Sequence, residues 1–349
     1  MMTSFLISAL LSVSAVQAQQ PADPYQAALT MLKDKEPGIR RQGAGELRRM
    51  NRPESTPLLI DVLGDKDPGV RAAAADALGL MRCREAAAPL GKILTSDPDA
   101  APRQSAATAL AYISDPSVVP ALVKALEKDA APGVRYAAAR TLSMLRGPAA
   151  AAALAKGLQD PDASMRRVAA TSLGQIQAPE GLAGLRAALA DKDAGVRVEA
   201  ARALGKFKDP AQSPALREAL KDGDRAVRIN AALALARVND PAGLPEALTC
   251  LGSGNPAERA MGAEILGMVG DAQTGLPALE KAFAAEADPG TKRVIDFGRG
   301  QLRARLGVKA PPPGKKAAPA AAGKKAPAKK APAAKAPVKK AAPKAGQPK

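Results

Sequence analysis

From residue 36 onward the chain repeats one pattern of apolar and polar positions. Stretches such as VRAAAADALG (70–79) and VRVEAARALG (196–205) place Val, Ala and Leu at helical spacing. Each is preceded by an Asp or Asn suited to cap a helix, often with Pro at the first helical position, as in Asp67-Pro68 and Asp288-Pro289. The pattern predicts that this first helix ends at Leu-Gly or Leu-small: Leu78-Gly79, Leu173-Gly174, Leu204-Gly205, Leu266-Gly267. A short loop and a second Pro (57, 89, 120, 214, 245, 277) then open another helix closed by leucines, as in PALVKAL (120–126). No stretch alternates with the two-residue period of a strand, so the expected class is all-α.

Aligning the units on one arginine fixes their period. EPGIR (36–40), DPGVR (67–71), DAAPR (99–103), APGVR (131–135), DASMR (162–166), DAGVR (193–197), DRAVR (224–228) and NPAER (255–259) recur about every 31 residues, and DPGTK (288–292) follows as a terminal variant. A fixed period of this length predicts a solenoid whose stability comes from contacts between neighbouring units. The last unit, TKRVIDFGRGQLRARLG (291–307), is richer in charge, as a terminal cap with a polar outer face should be.

The pattern D-x-x-x-V-R-x-x-A-A-x-A-L-G followed by P-x-L-x-x-x-L resembles HEAT repeats, of the short bacterial type also seen in phycobilisome lyases. The resemblance covers roughly residues 30–306 and implies an α-solenoid of about eight two-helix repeats plus a C-terminal cap. It also implies that the second helix of each unit lines a concave face. Fold of this kind says little about activity.

Two series of side chains recur in this register. Asp67/Arg71, Asp99/Arg103, Asp162/Arg166, Asp193/Arg197 and Asp224/Arg228 stand four apart, and the reading is structural: the Asp caps its helix, and the Arg bridges to the Asp of its own or the next repeat, forming a ladder. The glycines after Leu read as positions of close helix approach. On the second helices, 20 or 21 residues past each aligned arginine, stand Lys92, Lys124, Lys156, Arg186 and Arg217. If these helices form the concave face, the five residues make a basic stripe that would draw an acidic protein or polyanion.

Composition narrows the chemistry. The sequence has no His, no Trp, two Cys and seven aromatic residues, four Phe and three Tyr. No imidazole base, Ser–His or Cys–His pair, or His-held metal is available, and two Cys cannot build a four-thiolate site. Deoxyhypusine hydroxylases share the repeat but hold iron through His-Glu pairs, none of which has a counterpart here. Nothing identifies a bilin pocket of the lyase kind, and no Gly-rich phosphate loop or Cys-x-x-Cys occurs. The expectation is a protein without cofactor or catalytic residues.

The net charge is 51 − 34 = +17, and its location matters. Residues 308–349 hold 15 Ala, 12 Lys and 9 Pro with no acid, so the remainder carries 17 − 12 = +5. Such a segment has little to bury and repels itself, which predicts a disordered tail. Its Lys-Lys pairs Lys315-Lys316, Lys324-Lys325, Lys329-Lys330 and Lys339-Lys340, set in Ala and Pro, resemble the tails of linker histones and of some bacterial histone-like proteins. At the other end, an apolar run from Phe5 to Val16 is followed by Val16-Gln17-Ala18, the spacing signal peptidase accepts, which predicts cleavage before Gln19. The run is too short to span a bilayer. The expected division is thus a signal peptide (1–18), a solenoid (19–307) and the tail (308–349).

Cys83 and Cys250 lie five repeats apart, on the order of 50 Å if each layer adds about a helix diameter, which excludes a bond between them. Cys250 reads as a small buried hydrophobe. Cys83, between Arg82 and Arg84 in a loop, reads as a candidate reactive thiol. The functional expectation is a periplasmic or secreted scaffold that binds a protein partner on its concave face, with the tail contacting anionic envelope surfaces. The alternative is a cytoplasmic DNA- or polyanion-associated protein, should the chain not be exported; a lyase-like enzyme stands behind both.

Overall fold

The computed structural model describes residues 23–309. The chain in this span is an array of helix pairs. The first helices are α2 (Pro37–Met50), α4 (Pro68–Leu80), α6 (Ala100–Ile113), α8 (Pro132–Leu145), α10 (Ala163–Ile176), α12 (Ala194–Phe207), α14 (Arg225–Arg237) and α16 (Pro256–Val269). Their partners are α3 (Ser55–Val62), α5 (Ala87–Ser96), α7 (Val119–Lys128), α9 (Pro148–Gly157), α11 (Leu182–Ala188), α13 (Ser213–Ala219), α15 (Leu244–Leu251) and α17 (Gly275–Ala285). A lone second helix, α1 (Pro24–Met31), precedes the eight pairs, and a lone first helix, α18 (Pro289–Leu306), closes them. No strand occurs among the described residues. The half-unit α1 lies upstream of the first aligned arginine, Arg40, so the register does not announce it. The expected signal peptide and tail lie outside the described residues.

The first helices begin as their sequence dictates. Asp67 accepts from the N–H of Val70, Asp193 from Val196, Asp162 from Ser164 and Asp288 from Thr291, each satisfying an orphan donor of a helix start. Their ends differ from the expectation. The helices run past Leu-Gly to Leu80, Ile176, Phe207 and Val269. The glycine serves packing instead: a Cβ on Gly79 would stand 2.5 Å from Ala109 Cα, and one on Gly205 2.8 Å from Ala234 Cβ. The small residue lets one first helix press against the next.

What ends these helices is a left-handed residue that is not glycine. Asn51, Arg82, Ser114, Arg146, Gln177, Lys208 and Asn239 all have φ between 50° and 60°, one in each of the first seven repeats, while α16 ends at Gly270 with φ −59°. The chain then turns into the second helix, in five repeats through a short 3₁₀ turn whose start Asp115, Asp209 or Asp240 caps in three of them. The second-helix prolines fall within the first turn, where a missing N–H costs nothing.

Small side chains make thin layers. Ala and Leu dominate the buried set, with Leu78, Leu110, Leu142 and Leu173 fully enclosed at one register position. That same position in α18 is Arg299, and the buried Ala before it (Ala75, Ala107, Ala139, Ala170) becomes Asp296. The two pair at 2.5 Å. The array is thus closed by an ion pair where another unit would need a core.

Candidate partner-binding face

The recurrent Arg organises one edge of the array. Arg166 donates through Nε and Nη2 to the two oxygens of Asp191, at 2.7 and 2.8 Å, and through Nη1 to the carbonyls of Asp160 and Pro161. It therefore ties the loop before its own repeat to the loop after it. The same fork joins Arg40 to Asp65, Arg71 to Asp97, Arg103 to Asp129, Arg135 to Asp160, Arg197 to Asp222 and Arg259 to Glu286. Guanidinium forks of this kind are the strongest of the charge-assisted hydrogen bonds.

This corrects the expected pairing. Of the arginines in the sequence series, Arg71 alone reaches the expected acid of the next repeat, Asp99, at 2.9 Å. Arg103, Arg166 and Arg197 pair with the acid two residues before the next cap, and Arg228 turns to Glu246. The reason is geometric. The cap carboxylate is occupied by the N–H groups of its own helix, as Asp224 is by Ala226 and Val227. The earlier acid faces the arginine and still accepts one N–H, as Asp191 does from Asp193. The signal was present as D-x-D in 65–67, 97–99, 160–162, 191–193 and 222–224.

The fork sets the protonation of these acids. Arg40, Arg166 and Arg197 hold the carboxyls of Asp65, Asp191 and Asp222 below their ordinary value. For Asp97 and Asp129 burial pushes upward, but the hydrogen bonds from Arg71 and Arg103 and a backbone N–H prevail. Glu286 is lowered to about 2, first by Arg259 and then by the N–H of Asp288.

The basic residues lie on the second helices, one per repeat, and all five are exposed. Lys92 is on α5, Lys124 on α7, Lys156 on α9, Arg186 on α11 and Arg217 on α13. Three are engaged: Lys156 with Glu127 at 2.8 Å, Arg186 with the Gln212 amide oxygen at 3.0 Å, and Arg217 with Asp240 at 2.9 Å. The ammonium groups of Lys92 and Lys124 make no ion pair among the described residues, and Lys128 stands exposed one turn beyond Lys124. A cleft of about 310 Å³ opens there, lined by Thr95, Ser96, Lys124 and Lys128. At the same register the row ends in Asp61 on α3 and Leu248 on α15.

Neither cysteine is presented to solvent. Cys250 is fully buried, and burial pushes its thiol up. Cys83 is 7% exposed, and its sulfur lies 3.1 Å from the Thr56 hydroxyl. The loop reading of Cys83 as a reactive thiol is corrected accordingly: Arg82 and Arg84 face outward while the sulfur turns into the layer. Among the described residues no group of three His, Cys, Asp or Glu could hold a metal ion, and no helix is long and apolar enough to cross a membrane.

A family model for HEAT repeats matches four times, over residues 25–100, 87–167, 152–226 and 213–295. The chain belongs to the HEAT-repeat family. No curated protein matches this HEAT-repeat chain in sequence. Among solved structures, Kap95p, in a study of its binding to RanGDP, matches with a TM-score of 0.58 at 16% identity, over 81% of this chain and 44% of that one. The Escherichia coli protein YibA matches with a TM-score of 0.52 at 21% identity, over 80% and 92%. Human deoxyhypusine hydroxylase is 29% identical over 61% of this chain and 83% of its own, with a TM-score of 0.33. The first two show the fold. HEAT-repeat solenoids of this architecture are suited to holding other proteins.

Proposed function

We propose that the chain is a non-catalytic scaffold that holds a protein partner along its second-helix face. The observation that carries this reading is the row of exposed cations on consecutive second helices, Lys92, Lys124, Lys156, Arg186 and Arg217, bounded by Asp61 and Leu248. Side chains at one register position stand about one interhelical distance apart, ~10 Å, and so present a regular line of charge to an extended or helical acidic partner. The ion pair of Lys156 with Glu127 is solvent-exposed, worth little, and free to exchange for a partner's acids, whereas Arg217 is held by the buried carboxylate of Asp240.

The apolar run with Val16-Gln17-Ala18 supports placement in the periplasm or outside the cell, and the Lys-rich tail supports contact with anionic envelope surfaces. Each Lys near an anionic membrane adds about 1 kcal/mol, so a dozen give salt-sensitive attachment. A photo-crosslinker at Lys124 is expected to capture one discrete polypeptide in cells, and the Lys92→Glu/Lys156→Glu background to abolish the capture. The same probe at Thr108, on the exposed face of α6, should capture nothing. Equal yields at the two positions would remove the reading. Intact mass after fractionation checks export: a chain beginning at Gln19 outside the cytosol supports it, and a full-length cytosolic chain returns the tail to nucleic acid.

A further inference from the structure

The eight repeats are not joined equally. Between the seventh and the eighth, four features of the array fail together. The first is the ladder. In six earlier repeats the acid after the second helix receives the arginine fork, but the corresponding residue after α15 is Ser253. Its hydroxyl keeps the turn, accepting the N–H of Asn255 at 3.1 Å, yet offers Arg228 no charge. Arg228 still donates to the carbonyls of Asp222 and Gly223 in its preceding loop, and its Nε goes to Glu246 at 3.1 Å instead. The loops on either side of the seventh repeat are therefore untied.

The second feature is a charge at a core position. Immediately before the aligned arginine stand Val70, Val134, Met165, Val196 and Val227, all fully buried. In α16 that residue is Glu258, which meets Arg225 of α14 at 2.9 Å. The third is incomplete satisfaction. Arg225 Nη2 and Glu258 Oε2 meet as an ion pair, but Arg225 Nε and Glu246 Oε1 have no hydrogen-bond partner among the described residues. The fourth is packing. The residue that receives the neighbouring first helix is small from α4 to α14 (Ala77, Ala109, Thr141, Ser172, Ala203, Ala234), but Ile265 in α16. The apolar core that begins at Ala28 ends at Ala234 and Leu235, while Ala232, Leu233 and Ala236 of the same helix belong to a second core that continues to Leu302, so α14 is where the two cores meet and the second is the contact a joint here has to open.

We infer that the seam between α14 and the α15–α16 pair is a joint, at which the solenoid opens as two blocks, residues 23–237 and 244–309, before either block unfolds. Within the second block the packing is tight: a Cβ on Gly262 would stand 2.6 Å from the Ala247 carbonyl and 2.8 Å from Cys250 Cβ. The turn before α15 stays with α14, a Cβ on Gly243 standing 2.6 Å from Ala232 Cβ, so the joint lies between that turn and α15. Cys250, fully buried and adjacent to Arg225 and Glu258, is uncovered when it opens.

That thiol supplies the test. In a Cys83→Ser background, the native protein reacts with a chromogenic disulfide reagent only through Cys250, at a rate set by opening of the seam. Ser253→Asp together with Glu258→Val restores the missing rung and the core valine. The reaction is expected to slow at least tenfold, with amide exchange of α4–α12 unchanged. In the unaltered chain, exchange protection is expected to fall in one step between α14 and α15. Protection that is uniform across α14, α15 and α16, or a Cys250 rate unaltered by the paired substitutions, overturns the inference.

Discussion

At the level of single residues, two aspartates separated by one position do different work. Asp193 caps α12, while Asp191 closes the fork on Arg166, whose side chain is only 6% exposed. Removing the cap costs about 1 kcal/mol. Removing the rung strands a guanidinium in a layer that excludes water, at a cost of about 3 kcal/mol. Asp191→Ala should therefore lower the urea midpoint well below that of Asp193→Ala; equal shifts would reduce the ladder to decoration. Sequence reading found the arginine and the cap because both sit in the aligned block. It passed over Asp191 because that residue belongs to the loop before the block, although D-x-D is plain once the fork is known.

Helices were legible from their period, since Ala and Leu recur where a buried face needs them, and the prolines fall in first turns. Helix ends were not. Leu-Gly looks like a stop signal, yet Gly79 and Gly205 are inside the last turn, making room for Ala109 and Ala234. In the first seven repeats the true terminator is a left-handed residue whose identity varies among Asn, Ser, Gln, Arg and Lys, so no residue type announces it. Such a residue carries a penalty of about 1 kcal/mol that glycine avoids. Lys208, at φ 53° and exposed, makes no ion pair among the described residues. After allowance for the freer unfolded chain, Lys208→Gly is expected to stabilise by about 0.5 kcal/mol, seen as a higher thermal midpoint. A lower midpoint would show that the lysine stem packs usefully.

Across the whole molecule the rungs respond to acid together. Asp65, Asp97, Asp129, Asp191 and Asp222 are held below their ordinary 3.8 in the folded chain, and Glu286 is lowered from 4.5 to about 2. The unfolded chain therefore takes up protons first, and stability is lost as pH falls from about 4 towards 2. Above about pH 5 these groups are ionised in both states, and with no histidine the curve should stay flat to neutrality. Urea midpoints at pH 7, 5 and 3 check this; a slope between 7 and 5 would point to other groups. The array, its period and its cap were readable from the sequence. The seam was not, because Ser253 and Glu258 look unremarkable until the register shows which neighbours they displace.

The ladder also bears on how such a chain changes length over generations. Each arginine of the ladder except Arg228 binds the loop before its repeat and the loop after it, so its partner is defined by position within a unit rather than by place in the array. Loss of residues 107–169 would join Ala106 to Ala170 within one helix and hand Arg103 the carboxylate of Asp191 in place of Asp129. Duplication works the same way in reverse. Recombination between misaligned copies of the gene would thus yield shorter or longer chains with no further rung lost, whereas cuts out of register leave an arginine unpaired and are weeded out.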